Sequence, residues 1–245
     1  MKRLMMIMVV VAIAGFHTQA RAVTLGTGEN FAVLGGSTVT NTGATVLHGD
    51  LGVWPGLAIT GFGPGIVNGT IHAGDAVAQQ AQSDLTTAYN FLAGMAPTQV
   101  LTGQDLGGQT LTAGVYFFAS SAQLTGSLTL SGPGDFVFQI GSTLTTASNS
   151  SILANNGANI YWQVGSSATL GTATEFKGSI LALTSITLNT GATIDSGRAL
   201  ARNGAVTLDG NTINVPEPCT LLLFGSGLMS LFANRKWIIC RHTAG

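Results

Sequence analysis

The sequence predicts a mainly β protein built as a three-sided β-helix, in which short strands coil around one core and each coil stacks on the next. The first indication is a recurring tetrad: a small residue, Ala, Thr or Asn, and an aliphatic residue. A repeat of this kind buries its apolar side only against a neighbouring repeat, so its recurrence indicates stacking. The tetrad occurs at residues 43–46, 157–160, 167–170 and 191–194, with a looser copy at 204–208.

The second indication is the spacing of the strand-like runs. Residues 136–142 overlay residues 160–166, residues 161–164 overlay 180–183, and residues 178–182 overlay 197–201, the last two at a spacing of nineteen. Short β runs at such an interval, broken by Gly, Asn and Asp, fit one turn of a three-sided coil. A β-sandwich also has short, regularly spaced strands, but it rarely keeps one motif at a near-constant interval, so the β-helix is favoured.

One segment departs from the β pattern and predicts a helix at about residues 75–93. It has no Gly or Pro before Leu92, and its apolar residues recur at helical spacing. Asp75 is expected to cap the helix, Gly94 to end it, and Pro97 to block its extension. The apolar stripe is expected to dock along the flank of the β-helix. Its members are Val77, Ala81, Leu85, Ala88 and Leu92.

The distribution of charge limits the partners of the predicted domain, residues 23–214. Charged residues make up only 8% of the chain, and this domain has three bases against nine carboxylates, a net charge of −6. Three scattered bases cannot neutralise many phosphates, so nucleic acid and anionic membrane surfaces are poor partners. Cys219 and Cys240 both follow the domain, which therefore has no disulfide, thiol nucleophile or thiolate metal site.

Both termini carry sorting features. Residues 1–22 combine Lys2 and Arg3, a short apolar run and the Ala20-Arg21-Ala22 cleavage pattern, which predicts a secretory signal peptide. A membrane anchor is the weaker reading because the run is short for a span.

Residues 215–245 contain Pro216-Glu217-Pro218, a hydrophobic run to Phe232, and then Arg235 and Lys236. This order resembles the PEP-type C-terminal sorting signal of Gram-negative bacteria. The resemblance implies cleavage by a sorting transpeptidase of the exosortase kind, and delivery to the cell surface or matrix. A simple tail anchor is the alternative, and the nine residues after Lys236 depart from the usual pattern. In either case the domain is exported, and membrane contact is expected only through the terminal hydrophobic segments.

Several longer segments together make the chain similar to the microbial ice-binding (antifreeze) protein family. They are, in order, residues 31–43, 49–53, 55–56, 60–62, 84–90, 105–108, 111–116, 176–182 and 197–208. No single segment is decisive, but the combination is specific and covers nearly all of residues 24–214. The resemblance implies a discontinuous right-handed β-helix of triangular section, with one long helix alongside and the N-terminal coil packed among coils of the C-terminal half.

The resemblance also implies that one flat Thr/Asn/Ser-rich β face adsorbs to ice and inhibits ice growth and recrystallisation. Stacked strands lie about 4.8 Å apart and alternate residues of a strand about 6.6–7 Å apart, two intervals close to repeats of the ice lattice. Charged side chains would hold water shells of their own and disturb this match. The scarcity of Lys and Arg is therefore consistent with such a surface.

Ice-binding members of the family often carry a Thr-Ala/Gly-x-Thr/Asn pattern near the binding face. Residues 42–45 and 190–193 fit this pattern fully, whereas residues 156–159 and 166–169 fit it more loosely. Each tetrad is equally well read as a coil corner, where Gly and Asn turn the chain and Thr begins a strand. The candidate ice-binding residues are Thr42, Thr45, Asn156, Asn159, Thr169, Thr190 and Thr193.

Other functions find less support. His48 with Asp50, and His72 with Asp75, are the domain's His–carboxylate groupings, and a structural role at the helix start is favoured over a metal site. The remaining carboxylates are dispersed, and there is no Gly-x-Ser-x-Gly motif with a suitable His, so we expect no enzyme and no cofactor. A surface adhesin or matrix protein that binds glycans is the main alternative.

Overall fold

The computed structural model describes residues 23–216. The predicted signal peptide, residues 1–22, and all of the sorting tail beyond Pro216 lie outside the described residues. Within the described part, no helix is long and apolar enough to cross a membrane.

The described chain contains a short 3-10 helix (Gly26–Asn30), one α-helix, α1 (Ala76–Ala93), and strands β1 to β22. The strands before α1 are β1 (Phe31–Gly35), β2 (Thr38–Thr42), β3 (Val46–His48), β4 (Asp50–Val53), β5 (Ala58–Thr60), β6 (Ile66–Asn68) and β7 (Ile71–Ala73). The first strands after α1 are β8 (Gln99–Val100), β9 (Thr110–Phe118), β10 (Ala122–Leu124), β11 (Ser127–Ile140), β12 (Leu144–Thr146), β13 (Ser151–Ala154) and β14 (Ala158–Val164). The last are β15 (Ala168–Leu170), β16 (Glu175–Lys177), β17 (Ser179–Ala182), β18 (Ile186–Leu188), β19 (Thr193–Asp195), β20 (Ala199–Ala201), β21 (Val206–Asp209) and β22 (Thr212–Asn214).

These strands form a three-sided solenoid in which all neighbouring strands pair in parallel. The side beneath α1, here called the helix-side sheet, has the order β8-β9-β11-β14-β17-β20-β1-β4-β7. The second side, the threonine sheet, has the order β10-β12-β15-β18-β21-β2-β5. The third side, the mixed sheet, has the order β9-β11-β13-β16-β19-β22-β3-β6, and the long strands β9 and β11 run through a corner into the helix-side sheet.

The coils are stacked out of chain order. The first coil, β1–β3, pairs with the last coil, β20–β22, along all three sides. Leu34 lies beside Leu200, Thr40 beside Thr207, and Val46 beside Thr212. The discontinuous β-helix with a flanking helix, as the family resemblance implied, is therefore confirmed. We call the contact between these two coils the seam.

The helix returns the chain from one end of the solenoid to the other. Strands β7 and β8 lie at opposite edges of the helix-side sheet, eight strand spacings or about 38 Å apart. The 18 residues of α1 span about 27 Å, and short connecting segments cover the rest. Leu85 and Leu92 are fully buried, in one apolar cluster with Phe31, Leu181 and Leu200 of the sheet. The predicted N-cap is confirmed, because the Asp75 side chain accepts a hydrogen bond from the Ala78 amide.

The interior of the solenoid is filled by inward-facing side chains that stack in register. Phe138 lies on Trp162 with ring centroids 3.9 Å apart, and Tyr116 and Phe176 extend this aromatic column on either side. The Trp162 indole donates a hydrogen bond to the Lys177 carbonyl oxygen at 3.0 Å. The core therefore fixes how each coil lies on the next.

The register predicted from the repeats holds in two places and is wrong by one residue in a third. Phe136 pairs with Ile160 and Leu181 with Leu200, as the overlays predicted. Trp162, however, pairs with Ile180 rather than with Leu181, so this coil has a spacing of eighteen. A slip of one residue would turn Ile180 away from the core, where it is fully buried beside Trp162.

Candidate functional site: the threonine sheet

Six consecutive strands of the threonine sheet each place a threonine at the same register position. Thr145 pairs with Thr169, Thr169 with Thr187, and Thr187 with Thr207. Across the seam Thr207 pairs with Thr40, and Thr40 pairs with Thr60. We call this row the threonine file; five strand spacings give it a length of about 24 Å. Gln123 occupies the seventh position, beside Thr145.

Strand alternation turns these threonines outward. In β18, Ile186 and Leu188 are buried and Thr187 between them is partly exposed. Most strands of the sheet repeat this pattern of one outward residue between inward ones, as expected for a strand with one solvent-facing side. The short strands thus align one outward threonine each in a single row, and in β5 this is the last residue, Thr60.

The file is uncharged and conformationally stiff. The strands of the threonine sheet contain a single charged residue, Asp209, which lies at the end of β21. Threonine is β-branched, so its χ1 angle is restricted and its hydroxyl and methyl positions are largely fixed in advance. At the seam the hydroxyl oxygens of Thr40 and Thr207 are 3.4 Å apart. The surface is therefore a regular array of hydroxyl and methyl groups.

Hydroxyl groups at the corner before the file are used within the protein. Ser121 and Thr143 are hydrogen-bonded to each other at 2.8 Å, and the Ser185 amide donates to the Ser167 hydroxyl at 3.3 Å. These side chains tie one corner to the next. The file itself is consequently the part of the sheet with the most regular outward hydroxyl groups.

The other two sides of the solenoid differ from this surface. The helix-side sheet is covered by α1. The mixed sheet carries Glu175 and an ion pair between Lys177 and Asp195 at 2.5 Å, and this hydrogen bond to Lys177 holds the pKa of Asp195 below its usual range. The mixed sheet also exposes the large apolar side chains of Leu153 and Ile66. It lacks the uniform row of one side-chain type that the threonine sheet has.

The seven residues predicted as ice-binding do not lie on one face, so that geometric expectation was wrong. Thr169 is part of the threonine file. Thr42 and Thr190 lie at the edge of the same sheet beside Asp209, whose carboxylate accepts a hydrogen bond from Thr190.

The remaining candidates lie elsewhere. Thr193 is on the mixed sheet. Asn156 lies in the turn before β14, and Asn159, near the start of β14, donates a hydrogen bond to Asp135 at 2.8 Å. The structure therefore brings three of the seven to the threonine sheet and leaves the other four away from it.

Thr45 requires a specific correction, because it is 0% exposed and cannot contact any external surface. Its hydroxyl donates to Asn41 and accepts from the Asn211 amide at 3.1 Å. The tetrads at residues 42–45, 156–159 and 190–193 are corners, as the alternative interpretation held: Gly43, Gly157 and Gly191 have φ of 79°, 84° and 70°, a left-handed conformation that favours glycine. The tetrad at residues 166–169 instead leads into β15. The Thr-Ala/Gly-x-Thr/Asn tetrad is thus mainly typical of a turn.

Five of the six threonines of the file were missed. Their signal in the sequence is a pair in which Thr directly follows an apolar residue. The pairs are Val39-Thr40, Ile59-Thr60, Leu144-Thr145, Ile186-Thr187 and Val206-Thr207. Such a pair is common in any strand, and only the pairing of strands across coils reveals that the six threonines of the file align.

Of the two predicted His–carboxylate groupings, only His72 with Asp75 serves the helix start. The His72 ring lies between Asp75, at 2.7 Å from Nδ1, and Asp50, at 3.9 Å from Nε2, while His48 lies beside Asn68 on the mixed sheet. No group of three or more His, Cys, Asp or Glu among residues 23–216 is arranged to hold a metal ion.

The fold and the site together define a β-solenoid protein with a row of six threonines in register on one side. The ice-binding-like family model matches residues 33–214, and the PEP-CTERM protein-sorting motif matches residues 214–236. The chain therefore belongs to the ice-binding-like family. The recognition made from the sequence segments is confirmed.

Individual relatives agree with this assignment. An ice-binding protein of Nostoc sp. (strain HG1) is 59% identical to this chain over 94% of both chains. The crystal structure of an ice-binding protein from an Antarctic biological consortium has a TM-score of 0.76 and 53% identity, covering 80% of this chain and 91% of that one. The ice-binding protein of the Antarctic ascomycete Antarctomyces psychrotrophicus has a TM-score of 0.75 and 41% identity, covering 80% of this chain and 99% of that one. The match covers 99% of that solved chain, which therefore consists almost wholly of this domain.

Proposed function

We propose that the protein adsorbs to ice through the threonine sheet and thereby inhibits ice growth and recrystallisation. The observation that carries the proposal is the threonine file, six threonines in register on adjacent strands without a charged residue among them. Membership of the ice-binding-like family supports the same substrate. The proposal needs no cofactor and no catalytic group.

The mechanism depends on how the methyl and hydroxyl groups of the file interact with water. The threonine methyl group discourages disordered hydration, and the hydroxyl group bonds to a lattice-like layer of water. One such hydrogen bond contributes only about 1 kcal/mol net, because liquid water competes for it. A rigid row binds better than the same groups on a flexible surface, since little conformational entropy is lost on adsorption. Ice then grows only between bound molecules, as curved fronts with a lowered local freezing point.

The decisive variant is Thr187→Tyr, at the centre of the file. A tyrosine here would project above the row and hold the rest of the sheet away from the crystal. We expect thermal hysteresis at equal concentration to fall to about a tenth or less, because most of the file can no longer reach the ice surface. Ice-crystal shaping should weaken in parallel, while circular dichroism remains that of the folded protein.

The matched control is Thr193→Tyr, which places the same bulk on the mixed sheet. It is expected to leave ice shaping intact. Loss of activity in Thr193→Tyr with retention in Thr187→Tyr would assign the ice contact to the tetrads instead. Smooth, round ice discs in the wild-type protein, together with measurable glycan binding, would favour the surface adhesin.

The route to the cell surface is part of the same proposal. The sorting motif at residues 214–236 supports export and surface attachment, with processing by a transpeptidase of the exosortase kind. Intact-mass spectrometry of the surface-associated protein is expected to find a chain that begins near Val23 and ends near the Pro-Glu-Pro motif. A chain that retains residues 219–245 would instead identify the tail as a permanent anchor.

A further inference from the structure

The described chain ends at the edge between the mixed sheet and the helix-side sheet. β22, in the mixed sheet, is the last strand along the described chain, and the Val215 amide that follows it donates a hydrogen bond to the His48 carbonyl oxygen at 3.3 Å. His48 ends β3 of the mixed sheet, and Asp50 begins β4 of the helix-side sheet, so Gly49 forms the corner between them. Val215 is a direct neighbour of Gly49. The sorting tail therefore leaves from this edge.

The start of the described chain approaches the same edge. The Asn30 carbonyl oxygen, just before β1, is another neighbour of Gly49. The Arg198 guanidinium donates two hydrogen bonds to the Glu29 carbonyl oxygen, at 3.0 Å from Nε and 2.5 Å from Nη2, and so holds the start of the chain in place. Both ends of the domain thus lie along one edge of the solenoid, here called the terminal edge.

The threonine sheet is the side opposite to the terminal edge. In each complete coil the chain passes from the helix-side sheet to the threonine sheet and then to the mixed sheet. The edge where the mixed and helix-side sheets meet is the one edge of the triangular section that does not border the threonine sheet. The body of the solenoid, about 10 Å between packed sheets, separates the threonine file from the tail.

From this arrangement we propose that the protein, when attached through its C-terminal tail, holds ice against the surface that carries it. The inference rests on the proposed function and extends it from inhibition of ice growth to adhesion. A tail that left from the threonine sheet or its borders would press the file against the supporting surface. Departure from the opposite edge leaves the file facing outward, and many copies on one surface bind one crystal together.

The test compares two directions of attachment. Residues 23–216 contain no cysteine, so a single introduced thiol gives a unique attachment point. Pro216→Cys places it at the terminal edge, and Thr42→Cys places it at the border of the threonine sheet, beside the file but not in it. Each domain is biotinylated at that thiol, coupled at equal density to streptavidin beads, and exposed under flow to an ice surface below 0 °C. We expect about 100-fold more beads to stay on ice with the Pro216 attachment, because many copies act together only when their files face outward.

The outcomes separate the two proposals. If the unattached wild-type domain does not enter ice during slow freezing, the proposed function fails. If the unattached domain enters ice but beads attached at residue 216 do not hold to it, the adhesion inference fails alone. Equal retention in both directions would contradict the geometric argument. As a check on the natural arrangement, cells that produce the full chain should adhere to ice, and cells that produce the full chain with Thr187→Tyr should not.

Discussion

At the scale of single residues, the chemistry of a threonine in this protein depends on what its hydroxyl group already binds. Thr45 and Thr174 are buried, and their hydroxyl groups are bonded to neighbouring corners of the solenoid. The file threonines, such as Thr207, stand on the outer side of a strand. The same residue type therefore holds the coils together at one position and belongs to the proposed ice-binding surface at another.

Gln123 marks the end of the file and supplies a prediction at this scale. It occupies the outward position beside Thr145, and its amide nitrogen donates to the Thr125 hydroxyl at 3.3 Å. Gln123→Thr would extend the row from six threonines to seven. One further hydrogen bond of about 1 kcal/mol corresponds to about a fivefold gain in adsorption, so thermal hysteresis at low concentration is expected to rise.

A matched control for this gain is Gln99→Thr, the same exchange on an exposed strand of the helix-side sheet. It should leave thermal hysteresis at the wild-type level. Higher thermal hysteresis in both variants would indicate a general effect of added threonine rather than of the file. Unchanged thermal hysteresis in both would indicate that the ice contact ends before position 123.

At the scale of elements, α1 is attached at both ends. At the start, Asp75 accepts from the Ala78 amide at 2.9 Å and contacts the His72 ring. At the end, the buried Gln139 side chain donates to the Leu92 and Met95 carbonyl oxygens, at 2.6 and 2.8 Å. These bonds satisfy backbone groups that a helix end leaves free. They also fix the long crossover that lets the two halves of the chain stack.

The helix cap predicts a dependence of stability on acid. The Ala78 amide, and next the His72 ring, hold the pKa of Asp75 below its ordinary value. A carboxyl whose pKa is lower in the folded state stabilises the fold above its unfolded pKa, and this contribution is lost as the pH falls through the folded value. Asp75→Asn keeps a good cap but cannot titrate. We therefore expect its unfolding free energy to fall less than that of the wild type between about pH 6 and about pH 3.

Urea unfolding at the two pH values measures this difference. Asp75→Ala is the companion variant, which loses the cap and should have a lower midpoint than Asp75→Asn at both pH values. Asp84 and Asp105 also have lowered pKa values through their hydrogen bonds and remain in every variant, so only part of the acid sensitivity should disappear. An unchanged pH dependence in Asp75→Asn would rule out the cap as a contributor.

At the scale of the whole molecule, the seam decides whether a continuous file exists. Four threonines of the file come from the C-terminal half and two, Thr40 and Thr60, from the N-terminal half. Gln82 of α1 joins the halves: its side-chain amide donates to the carbonyl oxygens of Gly35 and Ala201, at 3.1 and 3.0 Å. Arg198 also joins the two halves, because its guanidinium donates hydrogen bonds to the Ser179 hydroxyl and to the Glu29 carbonyl oxygen.

Gln82→Met tests this bridge at nearly constant volume. It would leave two buried carbonyl oxygens without this donor, so we expect a loss of about 1–3 kcal/mol in the free energy of unfolding. Ice shaping near 0 °C should persist, because the register of the file is set by the backbone ladder between β2 and β21. The exposed Gln79→Met, also on α1, should change stability little. Equal stability of the two variants would show that the bridge contributes nothing.

Local features were predictable from the sequence because local chemistry determines them. Turn glycines, short β runs, the cap of α1 and the scarcity of charge all follow from neighbouring residues, and they led to the fold class, whereas the family followed from the resemblance of longer segments. The predicted stripe of α1 was wrong at one position, because Val77 is exposed and Ala78 is buried instead. The one-residue error in the predicted register of Trp162 arose because packing between coils, and not local sequence, sets this register. Corner lengths differ between coils, and the correct register depends on which side chains fill the core.

The sequence by itself thus determined a stacked, nearly uncharged β-helix with a docked helix, because residue periodicity and composition determine these properties. Only the tertiary structure decided which threonines form one surface. Thr40 and Thr207 are 167 positions apart and become neighbours solely through the seam, whereas the conspicuous Thr45 turns inward to bond a corner. Alignment across coils is a property of packing between distant segments, and no short pattern along the chain encodes it.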